Sequence, residues 1–348
     1  MNFFILTFNK KISPKRFIKN ILVIVGILLF FISTINFIVD PLYYWKITKK
    51  IDFKRRDFDE RVQKTNYLAN IDNNYNAVLL GNSRSTYIDT KKFNLGVNIY
   101  NYSVNAMSVY EYEQVILNFI ELTGKEPEKI LIGIDPFDFK GDNTNRLKYI
   151  LEETKDNTVK YKNLFSSDIF LFSIKSIIKT IKTKFDYYDR KQRYYDNNLT
   201  KGNSLENRIS NKKYISIKKD KNLYKVDKNL FKEYERLKNK FSNSEFIIYC
   251  LPFHKDLIQN WKKDKLYNEK NKYFLENITS IFEKVYYFNY INNYNSSYSN
   301  YYDKYHFYPY LGNILASKIS DLYNNKKSDF GYILNKEDIE RKKYSKEK

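Results

Sequence analysis

The stretch Ala77-Val78-Leu79-Leu80-Gly81-Asn82-Ser83-Arg84-Ser85 decides how this chain is read. A short apolar run bounded by a glycine reads as a strand buried on both faces, the pattern of a parallel sheet. A strand that ends in glycine and turns straight into a helix exposes the residue at the turn. The amides at the helix start then face that residue and can stabilise an oxyanion. Ser83 is therefore a candidate nucleophile. The competing reading is an ordinary strand-to-helix turn with Ser83 or Ser85 as an N-cap, and on this segment alone the cap leads. The lipase elbow G-x-S-x-G is not met, because residue 85 is serine.

Outward from this segment the apolar runs keep alternating with helical patterns. Val97 to Val104 is a second strand candidate, and Val109 to Leu122 has helical spacing. Lys129 to Ile134 is a third strand, Phe246 to Leu251 a fourth, and Lys284 to Phe288 a weaker fifth. Strands separated by helices predict an α/β fold over residues 76–330: a doubly wound parallel sheet with its site at the carboxyl ends of the strands. The interval 141–243 is too long for a crossover and is lysine-rich, with helical stretches around 165–182 and 228–241. It reads as an inserted helical cap over the site or against a partner, with a solvated insertion as the alternative. Residues 331–348 read as a charged tail, with Asp329-Phe330-Gly331-Tyr332 as a candidate docking segment.

Before the domain, residues 1–20 are basic, and Ile21 to Val39 carries no charge. At ~1.5 Å per residue that run can just cross a hydrocarbon core of about 30 Å. Asp40-Pro41 ends it, since proline cannot continue a helix. A cleaved signal peptide would have a shorter apolar run and small residues at a cleavage site, so a retained anchor is the better reading. Lys10, Lys11, Lys15, Arg16 and Lys19 precede it, but Lys46, Lys49, Lys50, Lys54, Arg55 and Arg56 follow it. The leading segment is short, so the expected topology is a cytoplasmic N-terminus with the body outside the cell membrane. Residues 40–75 read as a connector packed along the domain.

The net charge of +21 favours an anionic partner: nucleic acid, an anionic lipid surface or a cell-surface polymer. Lysines are spread along the chain and no nucleic-acid motif accompanies them, so no nucleic-acid partner is expected. The one cysteine, Cys250, lies in an apolar run and reads as a core thiol. No Cys/His cluster has zinc spacing, and no metal or cofactor is called for.

With two histidines in the chain, any imidazole base is His254 or His306. Asp303 stands three residues before His306, just ahead of a final helix. On a turn such an aspartate can reach back to the imidazole, fix its tautomer and stabilise the imidazolium formed on deprotonating a serine. His254, at a strand end, reads equally as a substrate contact or a structural histidine, and it lacks an aspartate at that offset.

The order Gly81-Asn82-Ser83-Arg84, then Tyr100-Asn101-Tyr102-Ser103-Val104-Asn105-Ala106, then Ile132-Gly133-Ile134-Asp135, then Asp303-Lys304-Tyr305-His306 resembles the four blocks of SGNH (GDSL-like) hydrolases. It is most similar to the membrane-anchored branch associated with O-acylation of cell-surface polysaccharides and teichoic acids. Val39-Asp40-Pro41, Leu251-Pro252-Phe253-His254 and Asp329-Phe330-Gly331 also look like that branch. The resemblance implies a triad of Ser83, Asp303 and His306. Asn105 or Ala106 stands where the family places an oxyanion glycine, and Asp135 where it places an asparagine donor. An ionised Asp135 would repel an oxyanion, so it is protonated, orients another group, or leaves the hole to backbone donors. Arg84 and His254 complete the candidate substrate set.

The resulting expectation is a membrane-anchored serine acyltransferase or esterase acting on O-acyl groups of an extracytoplasmic glycan or anionic wall polymer. Acetyl is the acyl group the resemblance implies, with D-alanyl as a variant, and a membrane-bound O-acyltransferase is the implied partner. The alternative is a non-catalytic module of the same fold that binds a surface polymer or holds that partner.

Overall fold

In the computed structural model, the described residues are 13–45, 53, 59–135, 144–182, 187–188, 193–194, 228–301, 303 and 305–341. The basic clusters at 10–11 and 46–56, most of the second half of the 141–243 insertion and the end of the tail lie outside them.

Six strands form one sheet: β1 (Ala77–Leu80), β2 (Ile99–Asn101), β3 (Lys129–Ile134), β4 (Glu245–Cys250), β5 (Val285–Tyr287) and β6 (Tyr332–Leu334). Their order is β2-β1-β3-β4-β5-β6, all parallel except β6, which pairs antiparallel with β5. Alternation along each strand sends residues to two separate cores. Val78, Leu80, Ile130, Ile132, Ile248 and Cys250 face one. Ala77, Leu79, Leu131, Ile247 and Tyr249 face the other. Cys250 is wholly buried, and burial pushes its thiol up to about 12.

The first core is covered by helices α2 (Glu60–Asn70), α3 (Val109–Thr123), α7 (Lys228–Lys240) and α9 (Lys265–Phe282). The second is covered mainly by α10 (Pro309–Tyr323). A sheet covered on both faces is the α/β arrangement expected from the sequence. It extends past residue 330, because Tyr332–Leu334 adds the edge strand and α11 (Lys336–Glu340) packs against α9. In this strand order the chain reverses direction between β1 and β3, which opens a crevice at their carboxyl ends.

Helix α1 (Pro14–Val39) is long and apolar enough to cross a membrane, with a mean hydropathy of 2.8 over its best window. It ends where Asp40 adopts the left-handed conformation and its carboxylate accepts the amides of Tyr44 and Trp45 at 2.8 and 2.9 Å. Side chains at helical spacing on α2 hold the segment just past α1. Gln63, Asn66 and Asn70 donate to the carbonyls of Pro41, Leu42 and Tyr43 at 2.9, 2.9 and 3.1 Å. Helix α1 thus leads into the domain through a hydrogen-bonded clamp.

The described helices of the insertion, α4 (Thr144–Lys155), α5 (Asn157–Leu164) and α6 (Ser167–Lys182), pack chiefly against α1, α2 and α3. A short ribbon pairs Tyr187–Tyr188 with Arg193–Tyr194. Helix α8 (Lys255–Lys262) follows β4.

Gly312 on α10 lies against the backbone of Tyr87, and a Cβ there would press into the Tyr87 carbonyl. Gly312→Ala is expected to cost about 1–3 kcal/mol by overpacking, whereas Gly26→Ala on the anchor, with open space around it, should be neutral. Chemical denaturation of the detergent-solubilised chain checks both.

Candidate active site

The turn after β1 is built by close approach. Gly81 has a φ of 156°, and a Cβ there or at Gly133 would collide with the Ser85 side chain. Ser85 therefore tucks against the ends of β1 and β3, with its hydroxyl 3.5 Å from that of Tyr249. Asn82 organises the turn: its carbonyl accepts the Ser85 amide at 3.0 Å and its side-chain oxygen accepts the Arg84 amide at 3.1 Å. Thr86 Oγ1 donates to the Ser83 carbonyl at 2.5 Å. The strand does not run straight into an α-helix. Only a 3-10 turn at Ser85–Tyr87 follows, so the site has local amides but no long helix dipole behind them. Ser83 is left half-buried at the crevice.

The second half of the site comes from the loop before α10. An isolated antiparallel bridge between Tyr301 and Phe307 pinches this loop, and the Tyr308 amide donates to the Asn300 carbonyl at 2.8 Å. Tyr301, Phe307 and Tyr308 are buried, so the loop is pinned from within. Asp303 accepts the amides of Tyr305 and His306 on Oδ1 at 2.7 and 2.6 Å, and its Oδ2 lies 2.8 Å from His306 Nδ1. The other ring nitrogen, Nε2, lies 2.9 Å from Ser83 Oγ. The three side chains form one continuous hydrogen-bonded chain. Burial pushes the Asp303 carboxyl up. The His306 ring and the two amides outweigh that effect and hold it below its ordinary value. The carboxylate thus stays charged beside the imidazole. With the Nδ1 proton toward Asp303, Nε2 is the acceptor that faces Ser83.

Asp135 and Arg84 are placed together. Both are buried, and the Arg84 guanidinium pairs with the Asp135 carboxylate. Asn82 Nδ2 donates to Asp135 Oδ2 at 2.5 Å. Arg84 also lies over the Phe253 ring at 3.9 Å and donates to the Pro252 carbonyl at 3.4 Å. Burial lowers Arg84 to about 10, so it remains protonated at neutral pH. Asp135 is thus occupied as a counter-ion that holds Asn82 and, through it, the nucleophile turn.

The loop after β2 runs beside the same edge, with the amides of Tyr102 and Val104 donating to the carbonyls of Leu79 and Gly81 at 2.9 and 3.2 Å. Asn105 and Ala106 differ in role. The Asn105 amide donates to the Glu60 carboxylate and is engaged. Ala106 is exposed with a φ of 50°, a left-handed conformation that glycine adopts most readily. His254 is wholly buried as the N-cap of α8, with Nδ1 accepting the Asp256 amide at 3.3 Å. Its ring packs against Tyr298 and Tyr301 at centroid distances of 4.6 and 5.3 Å. Enclosed in this way, it presents no surface for a substrate, which corrects its place in the substrate set.

Two features escaped the sequence reading. Glu60 and Arg61 on α2 reach the loop after β2, Glu60 accepting the Asn105 amide and Arg61 donating to the Asn105 carbonyl at 3.4 Å. Arg61 also forks onto Glu111 of α3 at 2.7 and 2.8 Å, and Lys64 donates to the carbonyl of Asn101, the last residue of β2, at 2.7 Å. No periodic signal reveals a buried helix whose inward face is charged. The Arg84–Asp135 pair carried a weak signal, a charge at the end of each of two adjacent parallel strands. Among the described residues no group of three or more His, Cys, Asp or Glu side chains is arranged to hold a metal.

Comparison with protein-family models, with curated proteins and with solved structures gave no match to this chain.

Asp135→Leu would leave Arg84 as a buried charge without its counter-ion, at an expected cost of about 3–5 kcal/mol. The double variant Arg84→Met, Asp135→Leu should recover most of that loss. A double-mutant cycle of denaturant unfolding measures the coupling.

Proposed function

We propose that this chain is a membrane-anchored serine acyltransferase or esterase of the SGNH type, working on O-acyl groups. The observation that carries the reading is the unbroken chain from Ser83 Oγ through both nitrogens of His306 to the Asp303 carboxylate. Its order, with the serine after β1 and the Asp/His pair before the last long helix, agrees with the four-block resemblance.

The chemistry is derived from that geometry. His306 Nε2 takes the Ser83 proton as Oγ attacks the acyl carbonyl, and the carbonyl electrons move onto oxygen. Collapse of this intermediate expels the alcohol, which takes the proton from His306, and leaves an ester on Ser83. An acceptor hydroxyl or water then loses a proton to His306, attacks that ester and releases Ser83 with its proton restored. Two amides suit the oxyanion. Among the described residues neither the Ser83 amide nor the Ala106 amide makes a hydrogen bond, while that of Asn105 is taken. Backbone donors alone suffice for this role, so the carboxylate at position 135 is no obstacle.

The net charge of +21 suits an anionic polymer or glycan at the cell surface as acceptor, with acetyl as the donor group by resemblance. In this reading α1 anchors the chain in the cell membrane with its N-terminus inside and its domain outside. A membrane-bound O-acyltransferase would supply the acyl group.

The test is turnover of an activated acetate ester by the full chain in detergent. Ser83→Ala or His306→Ala should lower kcat/KM by about 10^4-fold, and acid quenching of the wild type should trap an acetyl group on Ser83. Equal rates in wild type and Ser83→Ala would reject the assignment in favour of a non-catalytic binding module.

A further inference from the structure

Helix α6 has two apolar faces. Ile169, Phe172, Ser173 and Ser176 form the buried one. On the other, Leu171, Ile178 and Ile181 are 56, 44 and 75% exposed, with Ile174 half-buried between them. These positions fall at helical spacing on one stripe. Lys175 and Lys179 flank it, and the only acidic residue of the helix is Asp168, in its first turn. A solvated helix does not carry such a stripe without cause.

The position of α6 says what covers it. Asn36, a buried polar residue inside the apolar anchor, donates to the carbonyls of Leu164 and Ser166 at 2.8 and 3.1 Å and accepts from Ser173 Oγ at 3.0 Å. Phe31 of the anchor meets Phe170 edge-on, with ring centroids 5.9 Å apart. These bonds fasten α6 beside the anchor, close to Phe30 and Phe31, which are themselves exposed. At the exit of the anchor, Trp45 packs on Phe37 and Tyr161, and Lys160 lies over Trp45 at 5.5 Å. Aromatic rings mixed with lysine are the composition of a membrane interface.

We infer that α6 is a second membrane contact: it lies in the headgroup layer of an anionic bilayer, its Leu171–Ile174–Ile178–Ile181 stripe in the acyl boundary and its lysines on the phosphates. The anchor and α6 together then fix the tilt and height of the domain over the bilayer, which a single spanning helix cannot do. The inference concerns the membrane side of the molecule and stands whether or not Ser83 is a nucleophile.

The test uses the full chain in liposomes of phosphatidylcholine and phosphatidylglycerol. Leu171→Cys, Lys175→Cys and Ile178→Cys are each labelled with a polarity-sensitive fluorophore. Native Cys250 is buried and does not compete for the label. Labels at 171 and 178 should emit to the blue of the label at 175 and be quenched by nitroxide-bearing lipid, and less so when the anionic lipid is omitted. Water-like emission without quenching at 171 and 178 would overturn the inference. So would a blue shift that appears only in native membranes containing other proteins, since the stripe would then be covered by a protein partner.

Discussion

The hydrogen bond between Ser83 Oγ and His306 Nε2 joins residues 223 positions apart, and most of the domain can be understood as what brings them within 2.9 Å. One end is a strand terminus held between two parallel neighbours. The other is a loop pinched by the Tyr301–Phe307 bridge and seated on α10. Neither end has much freedom. Gly81 and Gly133 let Ser85 sink between β1 and β3, and Gly312 lets α10 approach the backbone of Tyr87, just after the nucleophile turn. Small residues at these contacts allow the two halves of the site to close.

Charge is handled with the same economy. A buried carboxylate at position 135 would be costly if left unpaired, and the buried guanidinium of Arg84 neutralises it. The pair then acts on the turn through Asn82, whose two side-chain ends bind Asp135 and the Arg84 amide. Asp303 is kept charged by donors on both its oxygens. The two aspartates thus have distinct surroundings, Asp303 against the His306 ring and Asp135 against Arg84 and Asn82 in the turn that carries Ser83.

Much of this was legible in the residues. Each of the five expected strands formed on the stretch assigned to it, the fourth starting one residue earlier at Glu245, because short apolar runs such as Ile130 to Ile134 have no other way to hide both faces. Asp303 and His306 stood out because a chain with two histidines offers few bases, whereas Ser83 was singled out through the four-block resemblance, since on its own segment the cap reading led. What lay hidden was held by polar contacts over long sequence distances. Helix α2 buries Glu60, Arg61, Gln63, Lys64 and Asn66, residues that any hydropathy reading assigns to solvent, since their partners on other segments are invisible in the local pattern. The sixth strand escaped because Tyr332–Leu334 sits in a charged tail, and His254 looked available because its enclosure depends on Tyr298 and Tyr301 far downstream. Helix α2 also ties together distant segments: one set of its side chains clamps the residues after α1, and another holds the loop that carries Ala106.

The central claim is that Ser83 is activated by His306. Labelling of the full chain with a fluorophosphonate probe tests it without any choice of substrate, because the probe reports only a nucleophilic serine. A single adduct on Ser83 is expected, one that disappears in Ser83→Ala and forms far more slowly in His306→Ala. A folded wild-type protein that takes up no label, or that labels equally well without His306, would contradict it.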